Sequence, residues 1–146
     1  MARFQFRLQR YLSVKEQIEA QKEIEYAAAL RAVEEEKEKL RALEDSREGA
    51  VQGLRKSVST RIMPIEIKRY NNTIERLKQM IAVQLGRLAS AREFAERKRL
   101  ELVEAMKERK AIEKVRENAF EEYLKEEDRA ARLLTDELTS YKYATK

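Results

Sequence analysis

Residues 67–133 read IKRYNNTIERLKQMIAVQLGRLASAREFAERKRLELVEAMKERKAIEKVRENAFEEYLKEEDRAARL. Apolar residues recur through this stretch at alternating spacings of three and four. One frame runs Ile67, Ile74, Ile81, Leu88, Ala95, Leu102, Arg109, Arg116, Tyr123 and Ala130. Its companion, three residues on, runs Tyr70, Leu77, Gln84, Ala91, Lys98, Ala105, Ile112, Ala119, Glu126 and Leu133. Such alternation predicts a coiled-coil helix, and the stretch contains no Pro and no Gly besides Gly86. At ~1.5 Å rise per residue it makes a rod of roughly 100 Å, far beyond a globular helix. A rod cannot bury its own seam, so the rest of the chain or a second chain must cover it.

Toward the N-terminus the first breaker is the single Pro, Pro64. Proline suits the first helical turn, where the N–H it lacks has no partner anyway, and Glu66 follows where a carboxylate favours the positive helix end. Ser57-Val-Ser59-Thr60 before it is poor helix material, and Gly49 and Gly53 weaken the turns before that. Upstream, Phe4, Leu8, Tyr11, Leu12 and Ile18 have helical spacing; after a slip near Ile24 come Tyr26, Leu30, Val33, Leu40, Leu43, Val51 and Leu54. The residues between them, Glu, Lys, Ala, Gln and Arg, are strong helix formers. The sequence predicts an all-α fold in one coiled-coil domain: helix one over about 4–56, a connection over about 57–63 and helix two over about 64–140. A connection that short suits an antiparallel neighbour.

If residue 56 lies beside residue 65, partners across the hairpin sum to about 121, within a turn. Phe4 then falls near Glu117, Val33 near Leu88 and Tyr26 near Ala95. The acid-free segment 1–15, with Arg3, Arg7, Arg10 and Lys15, falls opposite Glu108, Glu113 and Glu117. The same count leaves residues 118–146 without a partner, although they include Phe120, Tyr123, Leu124, Leu133, Leu134, Leu138, Tyr141 and Tyr143. Helix two thus extends beyond helix one and presents apolar residues of the kind that mark an interaction site. The last six residues, from Tyr141, are read as frayed.

Composition narrows the function. Charged residues make up 40% and hydrophobic ones 42%, with 3 Gly and 1 Pro, a profile of long helices. Cys and His are absent, which removes disulfides, the usual zinc and iron ligands, and the usual general base. The net charge of +5 comes from 32 bases and 27 acids that are mixed along the chain. No apolar run approaches ~18 residues and the start lacks a signal-peptide core, so a cytoplasmic protein is expected.

Paired carboxylates such as Glu121-Glu122 and Glu126-Glu127-Asp128 read as solvated helix faces, because acid–base work needs a water-excluding pocket. Metal sites in bundles want Glu-x-x-His, and phosphate-cradling glycine loops are missing. An enzyme, a cofactor and a metal site are therefore not expected. The Arg/Phe start could touch an anionic surface, but four bases facing an acidic segment favour pairing within the chain. Gln84, Lys98, Arg109, Arg116 and Glu126 interrupt the seam, either to specify register or because its far end faces a partner.

Three stretches resemble the flagellar export protein FliJ family. Residues 4–16, FQFRLQRYLSVKE, resemble its opening F-x-F-R-L-x-x-h-L-x-h-K-E, where h is apolar. The spacing Tyr70, Ile74, Leu77, Ile81 is similar to its helix-two start, with Asn71, Asn72 and Thr73 where relatives often carry an aromatic or Gln. Residues 108–129, ERKAIEKVRENAFEEYLKEEDR, resemble its R-K-x-h-E-K-h-x-E-x-x-x-x-E-Y pattern.

The resemblance implies an antiparallel two-helix coiled coil like the rod of the rotary ATPase γ subunit. It implies, as partners, the hexameric export ATPase FliI, its regulator FliH, the export gate protein FlhA and export chaperones, with peripheral association at the membrane export gate. The ATPase end would hold Phe6, Leu8, Leu12, Arg109, Lys110, Glu113, Lys114, Phe120, Tyr123 and Leu124. Tyr70, Ile74, Leu77 and Ile81 would meet the gate. No stable homo-oligomer and no nucleic acid are expected. The alternatives are a homo-oligomeric coiled-coil scaffold, or the equivalent stalk of a virulence secretion system or rotary ATPase.

Overall fold

The computed structural model describes residues 3–145. Two helices make up nearly all of it: α1, Gln9–Thr60, and α2, Pro64–Ala144. They pack antiparallel as a coiled-coil hairpin in which α2 is the longer. The chain clusters into two compact units, one made of residues 1–21 with 103–146, the other of residues 22–102.

In the unit of residues 22–102 the core is thin and rich in small side chains. Ala29, Val33, Leu88 and Ala95 are buried together, with Leu40 and Ala91 packed against them. Small residues let two helix backbones approach closely, so the gain comes from a long run of modest contacts, ~25 cal/mol per Å² of apolar area. Val33 and Leu88 share this core, as the loop count predicts. Lys22 meets Glu101 at 3.2 Å and Lys98 meets Glu25 at 3.5 Å.

The connection differs from the sequence reading in a physically informative way. The first helix continues through Ser57-Val-Ser59-Thr60 because Ser59 Oγ and Thr60 Oγ1 donate to the Lys56 carbonyl at 3.0 and 2.8 Å. Hydroxyls that disfavour helix interiors can hold the last turn, where carbonyls lack backbone partners. The break shrinks to residues 61–63. Ser57 Oγ then bridges the hairpin to the Glu66 carboxylate at 2.9 Å.

In the unit of residues 1–21 with 103–146, the start departs further. Phe4 to Phe6 are non-helical and α1 begins at Gln9, whose N–H bonds the Phe6 carbonyl at 3.1 Å. These residues lie outside the helix and need not follow its ~1.5 Å rise per residue. Phe4 therefore reaches Phe120 and Tyr123, and the expectation that α2 is unpartnered from 118 is corrected. The bare part begins at about Leu124.

The slip proposed near Ile24 is also corrected. Ile18 and Ile24 are exposed, while Leu12, Glu19, Tyr26, Val33 and Leu40, seven apart throughout, are buried or half-buried. The frame never slips; at Glu19 it is occupied by a charge. The α2 helix persists through Ala144, and the Thr145 N–H bonds the Tyr141 carbonyl at 3.1 Å, so the tail read as frayed is helical nearly to its end. Lys146 lies outside the described residues.

Candidate functional site

Within the unit of residues 1–21 with 103–146, Leu12 is the anchor, with 1% of its surface exposed, and Ala105 is buried too. Beyond Leu12 the packing becomes aromatic. The Phe4 ring meets Phe120 edge-on at 5.1 Å between centroids and lies tilted against Tyr123 at 5.4 Å. Phe120 and Tyr123 stack at 6.1 Å, as side chains three apart on a helix can. A groove of ≈ 410 Å³ opens beside this cluster, with Phe4, Leu12, Phe120, Glu113 and Arg116 on its walls.

A charged clamp sits one level inward. Arg109 donates from Nε and Nη2 to the two carboxylate oxygens of Glu19, the second at 3.1 Å, and from Nη1 to Glu113 at 2.8 Å. Those hydrogen bonds hold Glu19 below its ordinary pKa, against the opposing effect of burial, and push Arg109 up. Lys15 donates to Glu108 at 2.8 Å, so the basic start does meet the acidic segment there. Arg3, Arg7 and Arg10 form no ion pair among the described residues.

The seam polars divide into two groups. Gln84 donates to the Glu36 carbonyl at 3.0 Å and to its carboxylate; Lys98 pairs with Glu25 and Arg109 with Glu19. Each has its partner on α1, which makes these three register devices. Arg116 and Glu126 are exposed, and Glu126 pairs within its own helix with Arg129 at 3.2 Å.

Past Tyr123 the frame that faces α1 reads Glu126, Ala130, Leu133 and Glu137. The apolar stripe moves one residue on, to Leu124, Ala131, Leu134, Leu138 and Tyr141. Those five are exposed, Leu138 by 57%. One residue is about 100° of helix turn, so this stripe lies on a different face from the hairpin seam. It was legible as spacing, but the sequence reading followed the first frame to Leu133 and missed the change.

The ten residues expected at the ATPase end all fall in this unit, with different parts. Leu12 is core and Arg109 is committed to Glu19. Phe6 and Tyr123 are half-buried. Leu8, Lys110, Glu113, Lys114, Phe120 and Leu124 are exposed, Phe120 by 43%. In the unit of residues 22–102, Tyr70, Ile74, Leu77 and Ile81 are half-buried seam positions, with the Tyr70 ring against Gly53. The sequence reading set Lys15 opposite Glu108 but missed Glu19, Lys22 and Glu36, because it tracked apolar residues along α1 and not the heptad frame.

The sequence model described as the flagellar FliJ protein matches residues 4–146. No curated protein and no solved structure matches the chain.

Proposed function

We propose, from the premise that the chain belongs to the flagellar FliJ family, that this export-associated coiled-coil protein is a stalk joining the export ATPase to the export gate. A member of this family is a component of flagellar protein export and not an enzyme, so its work is binding. The end that holds both termini enters the central hole of the FliI hexamer, where Phe6, Leu8, Lys110, Glu113, Lys114, Phe120, Tyr123 and Leu124 meet the ring. Leu12 and Arg109 hold those residues in place. Two unlike helices in a pore touch the ring subunits unequally, which biases the ring's conformations and promotes assembly and turnover.

FliH, FlhA and export chaperones are the further partners. The FlhA contact lies around Tyr70, Ile74, Leu77 and Ile81, through the edges that the hairpin leaves exposed. The protein works in the cytoplasm at the inner face of the membrane, at the flagellar base.

The observation that carries the reading is the exposed end of α2. Every described residue from Asp128 onward is exposed, yet the run keeps an apolar stripe at heptad spacing through Tyr141. The test is FliI pull-down and ATPase stimulation with Leu124, Leu134 and Leu138 changed to Ala together, against Leu100→Ala as a control. Loss of both activities in the triple variant alone supports the assignment, and retention of both rejects it.

A further inference from the structure

The turn between the helices, inside the unit of residues 22–102, has a composition that the hairpin does not require. Residues 49–74 hold five bases, Arg55, Lys56, Arg61, Lys68 and Arg69, and one acid, Glu66. Glu66 is half-buried and accepts the Ser57 hydroxyl. All five bases are exposed, and none forms an ion pair among the described residues. Farther along α2 acids are interspersed with the bases, and Arg99, Lys114, Lys125 and Arg129 each pair with a glutamate three residues away; it is the shortage of acids that sets the tip apart.

At the tip of this basic zone are aliphatic side chains facing water. Ile62, in the link itself, is 71% exposed; Ile65, in the first turn of α2, is 59% exposed; and Val58, in the last turn of α1, is exposed as well. Turns ordinarily take Gly, Asn, Asp, Ser or Pro, whose backbone and side chains serve the turn itself. Here the Pro is present, and the capping is done by Ser59, Thr60 and the Ser57–Glu66 bond. Ile62 and Ile65 add nothing to it.

We propose that this tip docks on an anionic lipid surface. Branched aliphatics at the end of a helix pair can enter the boundary between headgroups and acyl chains. The surrounding guanidinium and ammonium groups, on long apolar stems, then reach lipid phosphates. A protruding three-residue turn is the wrong shape for a partner with a flat or convex face, whereas a fluid bilayer closes around it. Each base near such a surface strengthens binding about fivefold, and the attraction fades within a Debye length of ~8 Å at physiological salt. Binding is therefore reversible and salt-sensitive. This inference concerns lipid alone and does not depend on the export reading.

The experiment is co-sedimentation of the full chain with vesicles of phosphatidylglycerol and phosphatidylcholine, and with phosphatidylcholine alone. Three double variants are compared: Arg61→Glu with Lys68→Glu, Ile62→Ser with Ile65→Ser, and Arg7→Glu with Arg10→Glu. The positions are exposed, and circular dichroism checks that helicity is kept. Binding should require phosphatidylglycerol, fall roughly tenfold or more in both tip variants, and persist in the Arg7/Arg10 variant. Binding lost only through Arg7 and Arg10 overturns the proposal. So does equal binding to both vesicle types, or none to either.

Discussion

Arg109 on α2 grips Glu19 on α1 through two N–H donors, and its third donating nitrogen holds Glu113 on its own helix. Both residues occupy heptad positions that an apolar side chain would fill. A guanidinium presents its donors in a rigid fork that matches a carboxylate, so the pair fixes axial register as well as attraction. Arg109→Leu should therefore lower the thermal midpoint by a few degrees and shift crosslinking between α1 and α2 to mixed registers. Arg109→Lys should restore charge without restoring register. A single unchanged register in Arg109→Leu would remove this role.

The ion pairs also set the pH response. Glu19, Glu36 and Glu101 are held below the ordinary carboxylate value, chiefly by hydrogen bonds from Arg109, Gln84 and Lys22 respectively. A depressed folded pKa gives stability that is complete above the unfolded value and lost as pH falls through the folded one. Lys15 and Lys22 are raised, chiefly by hydrogen bonds to Glu108 and Glu101. Their contribution is complete below the unfolded lysine value and lost as pH rises through the raised one. With no His and no Cys, no side chain with an ordinary value titrates in between. Melting followed by circular dichroism should be flat from about pH 6 to 9 and fall below about pH 4.5 and above about pH 10. A transition centred near neutrality would contradict the account.

Glycine substitutions separate helix propensity from packing. An added Cβ at Gly49 or Gly86 meets nothing within 4 Å, whereas at Gly53 it would lie 2.8 Å from the Tyr70 ring. Gly49→Ala and Gly86→Ala should each stabilise the protein by about 0.5–1 kcal/mol. Gly53→Ala should forfeit that gain and destabilise by about 1 kcal/mol, because the ring must move. Urea denaturation measures all three. Equal stabilisation at Gly53 would mean that Tyr70 does not pack there.

Two leucines of the same unit should behave oppositely. Leu12 is fully buried, so Leu12→Ala should cost about 2–5 kcal/mol. Leu138 is mostly exposed, so Leu138→Ala should change stability by no more than about 0.5 kcal/mol. On the proposed function, Leu138→Ala should still weaken FliI binding, while Leu12→Ala should do so only in proportion to unfolding. A large stability loss in Leu138→Ala would mean that the end of α2 is covered.

Much of this was legible from spacing. The α2 frame from Ile67 to Tyr123 is covered at every step except Arg116, and Pro64 opens that helix as its missing N–H predicts. Along α1 the failure came from tracing a seam by its apolar members. There the frame passes through Glu19 and Lys22, and these charges are tolerated because Arg109 and Glu101 answer them. The reach of Phe4 to Tyr123 depends on a segment outside the helix, which no heptad count describes. Of the candidate site, the residue types were readable, but not that Leu12 is buried and Arg109 is bonded to Glu19.

The central claim is that the end of α2 is an open docking surface. Hydrogen exchange of the full chain, alone and with the export ATPase hexamer, tests it most directly. Alone, amides of residues 128–145 should exchange fast while those around Leu12, Val33 and Leu88 are protected; the ATPase should slow the 128–145 segment selectively. Exchange in that segment that is already slow in the free protein, or unchanged when the ATPase is bound, would contradict the account.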